Sequence, residues 1–169
     1  MNRAQRRATH RRTNMPAPNP TTWAAVIAAC RPMDEALGDD ILTKLHSAFD
    51  DLRKGSTDDD LFDRLAAAIN VGIVRAEQID ELCVGPMLAA RDALIRCDDI
   101  RGKHGRYGFD GLGLQAMATG LEVYEEMVRN STPQQMREAM TVSIARMHQQ
   151  EAAARARPTP SPAPQSTNA

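Results

Sequence analysis

The chain has 169 residues, of which 42% are hydrophobic, only 4% aromatic and nine are Met, so a core must be built from Ala, Leu, Ile, Val and Met, a palette suited to packed helices rather than a β-sandwich. The net charge of −1 hides two opposed parts: five of the 21 basic residues and none of the 22 acids lie in residues 1–12, an arm of +5 on a body of −6. An acidic body excludes a nucleic-acid groove spread over the domain, the odd and scattered Cys30, Cys83 and Cys97 exclude a disulfide framework and predict a reducing cytoplasm, and no apolar run approaches the ~18 residues of a spanning helix.

In chain order, residues 1–20 read as a basic arm and linker: Arg3, Arg6, Arg7, Arg11 and Arg12 repel one another, and three prolines between Asn14 and Pro20 detach them from the rest of the chain. A short helix is predicted after Pro20, presenting Trp23, Val26, Ile27 and Cys30 at helical spacing and stopped by Pro32. The run Trp23 to Cys30 imitates a lipoprotein cleavage box, but its apolar part is short and separated from the arginines, so no lipidation of Cys30 is expected. Leu37, Ile41, Leu45, Phe49 and Leu52 predict a helix over 39–54 that starts after Gly38 and stops at Gly55. Ser56-Thr57 capping Asp58, Asp59 and Asp60 opens another, to about Ala76, on the stripe Leu61, Leu65, Ala68, Ile69 and Ile73.

The next pattern, Ile79, Leu82, Cys83, Met87, Ala90, Leu94 and Cys97, is helical, with Pro86 expected to kink or restart it near Gly85. Five glycines in 102–113 mark a structured loop. Helix resumes with Leu114, Met117, Leu121, Tyr124 and Val128, and Thr132-Pro133-Gln134-Gln135 is a capping box with a first-turn proline for a last helix carrying Met136, Met140, Ile144 and Met147. Residues 158–169 are a proline-rich tail expected to be disordered. The prediction is an all-α, up-down bundle of about five helices over 21–157, with successive helices packed as neighbours.

Chemistry is sparse. The many paired acids suggest a metal, but no histidine follows a Glu by three residues as a di-metal bundle requires, and the acid-first i,i+4 pairs Asp40/Lys44, Asp50/Lys54, Asp60/Arg64, Asp92/Arg96, Asp99/Lys103, Glu125/Arg129 and Glu151/Arg155 predict solvated, salt-bridged faces instead. No nucleophile and base stand at a known spacing, Cys83 and Cys97 sit on apolar stripes, and the expectation is a non-enzymatic protein without cofactor or metal. Gly111-Leu-Gly113-Leu-Gln-Ala116 imitates a dinucleotide fingerprint without the strand that must precede it. Gly102-Lys-His-Gly105 resembles the GxxG clamp of KH domains, without the flanking strands. The basic, aromatic set Arg101, Lys103, Arg106 and Tyr107 remains a candidate for holding phosphate or stacking a base, against the alternative that Tyr107 and Phe109 tuck onto the bundle as a tight turn.

Two resemblances add expectations. The arm, Arg3-Ala-Gln-Arg-Arg-Ala-Thr-His-Arg-Arg12, has Arg3, Arg7 and Arg11 on one helical face and resembles the arginine-rich RNA-binding arms of phage antitermination N proteins, which implies Arg3, Arg6, Arg7, Arg11 and Arg12 as nucleic-acid contacts. The order of elements over 22–150, with Ala93-Leu-Ile-Arg96 through Arg106-Tyr-Gly-Phe-Asp-Gly111, resembles small uncharacterised helical proteins of bacterial plasmids and prophages. The expected function is a mobile-element accessory protein: a helical module that binds a protein partner or its own copy, away from membranes, with the arm adding nonspecific nucleic-acid affinity. The alternative is a DNA- or RNA-binding regulator using the arm and the loop 101–111.

Overall fold

The computed structural model describes residues 33–156. The arginine arm, the proline linker, the helix expected from Trp23 to Cys30 and the tail 158–169 lie outside them. Within them the chain forms five helices: α1 Glu35–Arg53, α2 Asp59–Ile79, α3 Glu81–His104, α4 Gly111–Arg129 and α5 Pro133–Ala156. No strand occurs among the described residues, and no described helix is long and apolar enough to cross a membrane.

Caps set the boundaries. α1 starts before the expected Gly38 because Asp34 is its cap, accepting from the Ala36 N–H at 2.9 Å, and Gly38 lies buried inside the helix facing Val128. Asp58 caps α2, accepting from Asp60 N–H at 2.9 Å, while Ser56 Oγ supports the cap by accepting from Asp58 N–H. Asp80 serves twice, as the C-cap of α2 and the N-cap of α3. The break expected at Gly85-Pro86 therefore falls at Asp80, and α3 runs on through Pro86. A proline in the second turn forfeits one hydrogen bond, which the packing of α3 against α2 and α4 outweighs.

The glycine loop is also narrower than 102–113. Arg101, Lys103 and His104 complement the C-terminal dipole of α3, Gly105 ends it in the left-handed conformation at φ 71°, and Asp110 caps α4 by accepting from Gly113 N–H. The connection is thus 105–110, and Gly111 and Gly113 belong to a helix. For α5 the predicted capping box forms: Thr132 Oγ1 accepts from Gln135 N–H at 3.2 Å and Gln135 Oε1 accepts from Thr132 N–H at 2.8 Å.

α1 to α4 close on one another, α1 against α2 and α4, α3 against α2 and α4, with α2 and α4 in diagonal contact. Leu52, Leu65, Ile69, Met87, Met117, Leu121 and Val128 are fully buried between them. α3 and α4 are in close contact at Gly120, where an added Cβ would stand 2.5 Å from that of Ala90. α5 departs from the expected neighbour order, because its main partner is α2 rather than the preceding α4. The α4–α5 turn is tied across to α2 by buried Ser131, whose hydroxyl accepts from Arg75 Nε at 2.8 Å while its carbonyl accepts from Met33 N–H at 3.1 Å. Arg75 is buried with no carboxylate partner among the described residues, its charge held by Ser131 and Gln78.

Candidate functional site

The loop candidates fall into two groups. Tyr107 is only 3% exposed: its ring stacks on Phe62 at 4.8 Å, the Arg101 guanidinium lies 5.0 Å from its centroid, and its hydroxyl donates to Asp59 at 2.7 Å. Burial and the Asp59 bond hold its phenol well above the usual range. Tyr107 packs the bundle and offers no free face to a base. Arg101 is committed to the same cluster by its bond to Asp59 at 2.7 Å.

Lys103 and Arg106 remain exposed. The turn after α1 brings Arg53, Lys54 and Gly55 against His104, Arg106 and Gly108, around a hollow of about 320 Å³ floored by Ile100 and Phe109. Arg53 pairs with Asp50 at 3.0 Å and Lys54 with Asp51 at 3.9 Å. The hollow also lies at the C-terminal ends of α1 and α3, where basic side chains offset the helix dipoles. Arg106 is the added fixed charge there, with no ion pair among the described residues.

A larger feature lies on the face shared by α1, α2 and α5: a groove of about 520 Å³. One wall is Leu37, Ile41 and Leu45 of α1, the other Met136, Met140, Ile144 and Met147 of α5, the floor Ala67, Ala68 and Val71 of α2, and Tyr124, Val128 and Met33 line it further. Leu37 and Met140 are each 51% exposed, and Ile144 and Met147 are exposed too. Burial raises the Tyr124 phenol to about 12, so this groove residue is neutral at any physiological pH.

The groove exists because α5 is poorly seated. Only Ala139 and Ser143 of its residues are buried, and it is held along α2 by a small cluster of Val71, Val74, Ala139 and Met136 and by Arg146, which donates to both oxygens of Glu77 at 3.0 and 2.7 Å. That pair lowers the Glu77 carboxyl below its usual value. The stripe Met136, Met140, Ile144 and Met147 is legible in the sequence; that it flanks an open groove instead of entering the core is not.

Among the described residues no group of three or more His, Cys, Asp or Glu could hold a metal. Cys97 is buried, which raises its thiol pKa. The predicted pairs Asp40–Lys44, Glu125–Arg129 and Glu151–Arg155 form, whereas Arg96 pairs with Asp110 and Asp92 with Arg91. Pairs of Asp50 with Lys54, Asp60 with Arg64 and Asp99 with Lys103 do not form. No family model matches the chain, and no curated protein or solved structure matches it either.

Proposed function

We propose that this chain is a cytoplasmic accessory protein of a mobile genetic element, whose helical domain is a protein-interaction module and whose basic arm adds nonspecific affinity for nucleic acid. The observation that carries the module is the groove of about 520 Å³ whose walls expose Leu37 of α1 and Met140, Ile144 and Met147 of α5. Contiguous exposed apolar surface of this kind marks interaction sites in soluble proteins, and parallel rows of aliphatic side chains over a floor of small residues suit a helix laid into a groove. Pull-down from a native host, compared between the parent and Leu37→Asp/Met140→Asp, tests it: partners retained by the parent and lost by the variant support the groove, and an unchanged set refutes it.

The arm's part rests on sequence: five arginines without an acid. Deleting residues 1–12 is expected to abolish binding to duplex DNA, and binding by the full chain should weaken with salt at about 0.9 log unit per phosphate contact. A second reading, a regulator that holds nucleic acid with arm and loop together, is favoured by one observation, the convergence of Arg53, Lys54, His104 and Arg106 around the basic hollow. Under it the truncated chain still binds one preferred site, and Arg106→Ala removes that binding.

A further inference from the structure

The rim of the apolar groove has a charge opposite in sign to the net charge of the body. Its lining contains two arginines, Arg64 of α2 and Arg137 of α5, and no carboxylate, on a body whose net charge is negative. Both are exposed, and neither has an ion-pair partner among the described residues, whereas the nearby Arg129 pairs with Asp39 and Glu125 and Arg146 with Glu77. Asp60 stands one turn before Arg64 in the register of an i,i+4 pair, yet Arg64 lines the groove without pairing to it. The two cations and the apolar walls thus form one surface.

We propose that the occupant of this groove is an amphipathic helix of another protein that carries carboxylates beside its apolar stripe, an inference that rests on the groove being the binding site. The shape argues for a helix: Leu37, Ile41 and Leu45 recur every four residues along one wall, Met136, Met140 and Ile144 along the other, and Ala67 and Ala68 below leave room for a ridge to descend between them. Methionine walls adapt to the incoming side chains. The charge argues for acids, since carboxylates at the edge of the stripe meet Arg64 and Arg137 bidentately as the apolar anchors enter. It argues against this chain's own N-terminal part, because residues 1–33 contain no Asp or Glu and include Arg31. An isologous pairing of two copies through this face would set the same unpaired arginines against a groove lining with no acid.

The test uses the full chain and two designed helical peptides with one identical Leu stripe, flanked in one by Glu and in the other by Lys. At low salt the Glu peptide is expected to bind about tenfold more tightly, with the ratio shrinking toward one near ~0.5 M salt. Arg64→Glu/Arg137→Glu should reverse the preference while leaving the melting temperature unchanged, since both side chains are exposed and unpaired. Equal binding of the two peptides, or a preference for Lys in the parent, overturns the charge inference and leaves the groove standing. If neither peptide binds, the groove reading fails and this inference with it. Trp23 is the single tryptophan of the chain, and a red shift of its emission on adding peptide would identify the chain's own N-terminal segment as the occupant. Concentration-dependent dimerisation abolished by Met140→Asp would assign the groove to a second copy; either result overturns the proposal.

Discussion

Two buried polar side chains, Tyr107 and Ser131, fasten the loops that flank the bundle. The Tyr107 hydroxyl donates to Asp59 at the head of α2 while the Tyr107 N–H donates to Ser56 carbonyl, so the α3–α4 connection is clamped to the start of α2. Removing the hydroxyl in Tyr107→Phe keeps the ring stacked on Phe62 and should cost about 1 kcal/mol, read as a lower denaturant midpoint at unchanged m. Burial raises the phenols of both tyrosines in the chain, Tyr107 and Tyr124. The folded state therefore keeps protons that the unfolded chain releases near pH ~10, and this share of the stability is complete below that pH and lost as it rises above. Absorbance at alkaline pH should show no tyrosinate step near ~10 before the helical signal collapses; a normal step in the folded protein would contradict the burial. Ser131 has the larger role, because Ser131→Ala leaves the buried Arg75 guanidinium short of a partner, at a cost of about 1–3 kcal/mol measured by denaturant titration.

At the scale of helices, the legible part of the sequence is the part that local chemistry dictates. Thr132-Pro133-Gln134-Gln135 announces the start of α5 because cap, proline and reciprocal glutamine are consecutive, and both hydrogen bonds form. The start of α1 is harder to read, since Gly38 looks like a boundary and is a contact residue against Val128, a role set by a helix far away in sequence. Leu82 fits the apolar pattern of α3 yet is 84% exposed, because periodicity gives a face and not its partner. The candidate groove is illegible for the same reason: the stripes of α1 and α5 are plain, but that α5 crosses to α2 depends on tertiary contacts. Tyr107 illustrates the converse, an aromatic among basic residues whose environment, Phe62 and Asp59, comes from another helix. The weak seating of α5 has a measurable consequence. Every residue from Ile144 to Ala156 is exposed, so amide hydrogens there should exchange far faster than those of α2 and α4. Protection of 149–156 equal to that of α2 would show that α5 is held by contacts beyond those described.

For the whole molecule, core and groove are two apolar surfaces with opposite expected responses to the same kind of change. Leu65 has no exposed surface and lies between helices, so Leu65→Ala loses both its transfer free energy and its packing, about 2–5 kcal/mol. Leu37 and Met140 are half in water already, and a charge placed there meets solvent instead of a closed interior. Leu37→Asp and Met140→Asp should therefore change stability by no more than about 0.5 kcal/mol. The same substitutions set carboxylates into the path of an apolar anchor, and binding of the Glu-flanked peptide should fall below detection. The contrast is diagnostic: a drop in melting temperature for Met140→Asp as large as for Leu65→Ala would mean that the groove is filled in the folded chain, and unchanged peptide binding would mean that the two walls do not form the site. A variant that melts like the parent and binds nothing is the outcome that a free, preformed docking groove requires.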